Sequence, residues 1–208
     1  MRSFPIWALG LILWSFSPVA GTDSAPDSAY ATPIAFLQHH DDQARAILAQ
    51  APSDSISGAV RLQIKQHINA AFDFDTLSQM ALGTHWSQRT EEERAEFVRT
   101  FSGIIKEQNF DNFLRYYRES NISYKNEEVD GDQAQVHAQV PLERDLVNIV
   151  YLLHRLESGW RVYDLIIDDV SSADGHRKRH ARYLQKKSYD ELIQTLNKRL
   201  ARLEQSYN

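Results

Sequence analysis

After Ser120 the hydrophobic period of this chain changes, and that change constrains the fold more than any other feature. Upstream, apolar residues recur at three- and four-residue spacing. Downstream they alternate: Ala134, Val136, Ala138 and Val140 are separated by Gln135, His137 and Gln139, the pattern of a strand buried on one face. Residues 122–129 are the expected strand before it, with Asp130-Gly131 as the turn. Residues 147–156 are apolar on both faces, and Ser158-Gly159 turns the chain into a last strand at 160–170. Four strands joined by short turns predict an antiparallel meander. Helices first and sheet second make the expected class α+β.

The helical half is punctuated by caps. Thr32-Pro33 reads as an N-cap followed by proline in the first turn, opening a helix to about Gln50 with Ile34, Leu37, Ala44, Ile47 and Leu48 on its apolar side. Pro52-Ser53-Asp54-Ser55 is a turn. Val60, Ile64, Ile68 and Ala71 then mark one face of a second helix. Asp75 is the expected cap of a short helix that Gly83 ends. Thr90 and Glu93 form a capping box, starting a long helix to about Arg118 with Phe97, Phe101, Ile104, Ile105, Phe110 and Leu114. A second box at Ser188 and Glu191 opens a helix carrying Leu192, Leu196, Leu200 and Leu203. The predicted layout is helices at 32–118, sheet at 121–170 and C-terminal helices at 174–205, one domain over 32–208.

Residues 1–21 read as a secretory signal peptide: a basic start at Arg2, an apolar run over 4–16 and small residues up to Gly21. The run is short for a bilayer span, which needs roughly 20 residues. Residues 22–31 are a polar, proline-bearing lead-in expected to be disordered. Without Arg2 the formal charge falls from −5 to −6, which argues against a nucleic-acid protein. No cysteine is present, so disulfides and thiolate metal sites are excluded.

Catalytic chemistry is hard to find. His39 and Asp42 share a helix face, but two ligands do not make a metal site. His176 and His180 have helical metal-pair spacing, yet Arg177, Lys178 and Arg179 lie between them, where their charge repels a cation. The basic patch His176–His180 with Arg182 reads as an exposed helical face or a docking surface for anionic headgroups or an acidic partner. GxSxG, P-loop and GxGxxG patterns are missing. His137 or His154 with Asp164 are the only acid/base candidates for a hydrolase or isomerase. What rises above background is apolar surface, in the long helix and in 147–156, beyond what one face of each needs. An ordinary core explains it, and so does a cavity for an apolar ligand.

Phe72-Asp73-Phe74, Leu82-Gly83-Thr84-His85-Trp86 and Glu93-Arg94-Ala95-Glu96-Phe97 follow one another as in MlaC-type proteins. The stretch from Gly159 and Trp160 through Asp168-Asp169-Val170-Ser171 resembles that family's second signature. Ser188-Tyr189-Asp190-Glu191-Leu192-Ile193 resembles its C-terminal helix. The chain departs from the pattern at Asp169, where glycine is usual, at Ser172 and Ala173, where apolar residues are usual, and at His176.

The resemblance implies an NTF2-like curved antiparallel sheet of about four strands wrapped by helices, with a deep apolar pocket. It implies a periplasmic phospholipid carrier of the toluene-tolerance (Mla) system, serving an outer-membrane lipoprotein complex and an inner-membrane ABC transporter with an MCE-domain subunit. It implies no enzyme, no metal and no cofactor beyond the lipid cargo. A hopanoid-associated or other specialised relative, or a scaffold without lipid, are the alternatives. Trp86 is expected to pack the turn between two helices. The expected lipid-lining residues are Leu77, Met80, Phe97, Phe101, Ile105, Val140, Val150, Leu152, Tyr163 and Ile167. Arg155 and Arg177 are the expected headgroup or partner contacts.

Overall fold

The computed structural model describes residues 30–50, 56–108, 110, 114, 118, 121–142 and 145–205. The expected signal peptide, most of the lead-in and the turn at Pro52 lie outside the described residues.

Local chemistry sets the helices. Helix α1 (Pro33–Ala49) is capped by Thr32, whose Oγ1 accepts from Ala35 N at 3.2 Å. Helix α2 (Gly58–Ala70) is capped in the same way by Ser57. The cap of α3 (Phe74–Leu82) is Asp73, and not Asp75 as the sequence suggests: Asp73 Oδ1 accepts from Thr76 N at 3.0 Å and Oδ2 from Thr76 Oγ1 at 2.6 Å. The reason is tertiary. Asp73 N donates to Val162 O at 2.8 Å and Val162 N donates to Ala71 O at 2.9 Å, so Phe72 is bridged in parallel to a strand, Asp73 is held extended and helix begins only beyond it. Gly83, at φ 61°, ends α3. A 3-10 turn over Gly83–Gln88 carries Trp86 against the helical core, with Arg94 above its ring. Helix α4 (Glu91–Gln108) starts at the expected box, Glu93 N to Thr90 Oγ1 at 3.2 Å and Thr90 N to Glu93 Oε2 at 2.8 Å.

The sheet is a five-stranded antiparallel meander in sequence order: β1 (Ser123–Asp130), β2 (Gln133–Leu142), β3 (Asp145–Leu156), β4 (Gly159–Ile167) and β5 (Val170–Ser171). The run expected as one strand over 160–170 is broken at Asp168 and Asp169, both at positive φ (45° and 65°). Two successive left-handed residues make a two-residue hairpin that pairs Ile167 with Val170. Helix α5 (Ser172–Leu184) follows at once, capped by Ser171, and α6 (Tyr189–Gln205) closes the described chain.

Register places Ala134 opposite Leu153 and Leu153 opposite Val162; Val136, Tyr151 and Leu165 form the next row. Among the described residues the core falls into three apolar clusters. One joins this sheet face to α1 through Phe36, Leu37 and Trp160. A second is helical, built from α3, α4, α5 and α6 around Leu82, Phe97, Phe101 and Leu192. The third joins α1 and α2 to Phe110 and Leu114.

Candidate functional site

Between β4 and the helices lies a seam cavity of about 40 Å³, lined by Asn69, Phe72, Phe74, Leu77, Ile105, Asp164, Leu165 and Ser172. It sits where the three clusters meet. Leu77, Phe74 and Ile105 belong to the helical cluster, Leu165 to the sheet cluster, and Phe72 packs against the other two at once. The rings of Phe72 and Phe74 stack at 5.7 Å. The carboxylate of Asp164 is fully engaged: Oδ1 accepts from Leu165 N (2.8 Å) and Ala173 N (2.9 Å), and Oδ2 from Ser171 Oγ (2.5 Å). It fastens the start of α5 to β4 and leaves the cavity wall essentially apolar.

Charge gathers at the edge of this seam. Lys106 Nζ stands 4.4 Å above the Phe74 ring, and Lys65 of α2 is ion-paired with Glu107 of α4. Partial burial pulls the Lys106 ammonium below the ordinary lysine value; Lys65 adds to that and Asp75 opposes it.

On the other side of α4 a second cavity, of about 120 Å³, lies within the bundle of α4, α5 and α6. Its walls include Phe101, Ile104, His176, His180, Leu192 and Leu196, with Arg179 and Arg199. His180 Nδ1 donates to Ala81 O at 2.9 Å. The His176 ring meets Phe101 at 4.9 Å, and His180 meets Phe97 and Phe101 at 5.5 Å. Burial pushes His176 down to about 4, helped by Arg179, His180 and Arg199, and burial lowers His180 as well. Both are neutral aromatic wall members near neutral pH. No group of three or more potential ligands positioned for a metal ion occurs among the described residues.

Residues 38–198 match the family described as MlaC protein. The chain belongs to the MlaC family. Comparison with curated proteins gives no match. Among solved structures, the chain is similar to the phospholipid-binding protein from Ralstonia solanacearum in complex with a phospholipid. The two share 23% identity at a TM-score of 0.69, over 81% of this chain and 96% of the other.

Within this MlaC-family fold the residues expected to line a pocket are distributed over several surroundings. Leu77 and Ile105 line the seam, and Phe101 lines the bundle cavity. Phe97 and Met80 pack in the helical cluster. Val140 is fully buried and shares its sheet face with Val136. Val150 pairs with His137 and Ile166, and Leu152 with Gln135 and Asp164, which puts both on the face opposite Val140. Tyr163 is the extra residue of a β-bulge, where Leu152 and Leu153 pair with Asp164 and Val162; its ring lies 5.2 Å from His154. Ile167 is 43% exposed. Arg155 lies over Trp160, and Arg177 is tied to Asp174 and covers Gly83. Neither arginine lines the seam cavity.

The acid/base candidates do not converge. His154 Nε2 lies 2.9 Å from Asp73 Oδ2, Asp164 is taken up by α5, and His137 pairs with Val150. Sequence reasoning missed Asn69, Phe72, Phe74, Leu165 and Ser172 as cavity walls. The doubled aromatics Phe72 and Phe74 were the available signal, since both stand in the stretch that leads from a strand-like segment into α3.

Proposed function

We propose that this MlaC-family chain binds the acyl chains of a phospholipid along the seam between β4 and helices α2, α3 and α4, and acts as a carrier rather than a catalyst. The observation that carries this reading is the seam itself. It is an apolar cavity bounded by three clusters, so it can widen by parting them and leave each one intact. Family membership and the phospholipid held by the Ralstonia solanacearum protein support the same reading.

The energetics suit a carrier. An acyl chain has about 15 methylene-sized groups, each worth roughly 0.8 kcal/mol when buried, so two chains gain on the order of 24 kcal/mol against water. Chains in a membrane are already out of water, so exchange with a bilayer is nearly balanced while release into solvent is negligible. Two chains require about 800 Å³, and an empty space of that size would cost roughly 19 kcal/mol at about 24 cal/mol per Å³. That exceeds the 5–15 kcal/mol that holds a typical domain together. The widened seam is therefore held open by its cargo.

In the fuller reading the leader at 1–21 directs export to the periplasm and is removed. The domain at 32–208 then moves phospholipid between an outer-membrane lipoprotein complex and an inner-membrane MCE-domain ABC transporter. The test is extraction of protein purified from periplasm without detergent, followed by mass spectrometry. Stoichiometric diacyl phospholipid is expected. A hopanoid would assign a specialised branch, and a folded protein that yields no lipid would leave a scaffold.

A further inference from the structure

We infer that Lys106, assisted by Lys65, is the seat for the phosphodiester of the cargo at the edge of the seam. This rests on the carrier reading above. Lys106 is half-buried on α4, directly after Ile105, and its ammonium lies on the ring of Phe74. Ile105 and Phe74 are both walls of the seam, so the cation stands where acyl chains would emerge. Among the described residues no carboxylate lies within ion-pair distance of Lys106 Nζ, whereas Lys65 beside it is held by Glu107. A cation drawn partly out of water normally finds a counter-ion. Among the described residues the charged groups that act on it are Lys65, which opposes its charge, and Asp75, which favours it. The position calls for an anion that the described chain does not supply.

A lipid phosphodiester fits that position in chemistry and in place. It carries one negative charge a few bonds from the acyl chains, so with the chains in the seam it reaches the seam's edge. Lysine suits it because a flexible ammonium with three donors holds a phosphate oxygen as a point charge from many directions. That tolerance leaves the rest of the headgroup free in solvent. The two arginines expected from the sequence are engaged with Trp160 and Asp174.

The experiment loads the mature protein from vesicles containing equal amounts of phosphatidylglycerol and a diacylglycerol with the same acyl chains. The re-isolated protein is then extracted and both lipids are counted. Wild type is expected to retain phosphatidylglycerol about tenfold over diacylglycerol. Lys106→Gln should lower phosphatidylglycerol to the diacylglycerol level and leave diacylglycerol unchanged. Lys106→Arg should restore the preference, and Lys65→Gln should reduce it about threefold. If Lys106→Gln loses both lipids equally, or keeps the wild-type preference, the phosphate seat is wrong while the seam stands. If wild type retains neither lipid, the carrier reading fails and this inference with it.

Discussion

The two cavities flanking α4 have similar walls and different surroundings. Ile104 faces the bundle cavity and Ile105, the next residue, faces the seam. The apolar walls of the bundle cavity come from one cluster: Phe101, Ile104, Leu192 and Leu196 pack together with Tyr183. The seam takes its walls from three. An apolar lining alone therefore does not mark a cargo site. What separates the two is whether enlarging the gap tears one core or parts several.

The largest expected effect comes from breaking the bundle side. Phe101 is 1% exposed and stacks on Phe97 at 5.4 Å, so Phe101→Ala should cost about 3–5 kcal/mol in urea unfolding. Lipid per folded molecule should stay at the wild-type value. A variant that kept its stability and lost its lipid would exchange the roles of the two cavities.

Next in size is a charge placed in the seam. Ile105→Asp puts a carboxylate among acyl chains, where an unpaired charge is costly. Retained lipid per folded molecule should fall more than a hundredfold, roughly 3 kcal/mol, with a smaller loss of stability because Ile105 is only partly buried. Val150→Asp, on the face of the sheet opposite Val140, is the control that should keep its lipid. Equal lipid in both variants would mean that the seam is ordinary core.

How much of this was legible in the sequence follows from which signals are local. The alternation of Ala134 to Val140 gave β2 its correct face because period two has only two solutions. Thr90, Glu93, Ser188 and Glu191 marked helix starts because a capping box is complete within four residues. Asp73 was missed as a cap because its extended conformation is imposed by Val162, far along the chain. The break at Asp168 and Asp169 was missed because neither is glycine. The seam was half legible: α4 is apolar on two sides, and a 3.6-residue period cannot say which side meets β4. Lys106 gave no signal, since a lysine on a helix reads as a solvated face until its neighbours are known.

A third, smaller effect distinguishes the cavities by pH. His176 binds a proton near 6.5 when unfolded but only at about 4 when folded, because burial and then Arg179, His180 and Arg199 oppose its charge. Between those values the unfolded chain holds more protons, so stability rises with pH. Acidification should weaken the fold from pH 6.5 down to about 4, by about 1–2 kcal/mol once solvent screening of a half-buried ring is allowed for. His176→Phe should flatten that slope while the rest of the acid dependence remains. Urea melts at three pH values would show it, and identical slopes in the two proteins would remove His176 from the account.

The smallest effect tests the joint between the two regions. The chain passes from the seam wall at Leu165, through the turn at Asp168 and Asp169, to α5 and the bundle wall at His176. Asp168 has a bonding role in the turn: its N donates to Asn148 O at 3.0 Å and its Oδ1 accepts from Asn148 N at 3.1 Å. Asp169 holds φ 65°, where a side chain costs about 1 kcal/mol and glycine costs nothing. Glycine also loosens the unfolded chain, which returns part of that gain. Asp169→Gly should therefore stabilise by only about 0.5 kcal/mol, and Asp169→Ala should destabilise by about 1 kcal/mol, since alanine lacks the short polar side chain that eases this conformation. Thermal unfolding resolves both. Neither variant should change the lipid content, because Asp164 still clamps Ser171 and Ala173 onto β4. Lipid content that moved with the turn would mean that the joint between β4 and α5 sets the width of the seam, and the two cavities would then be coupled rather than separate.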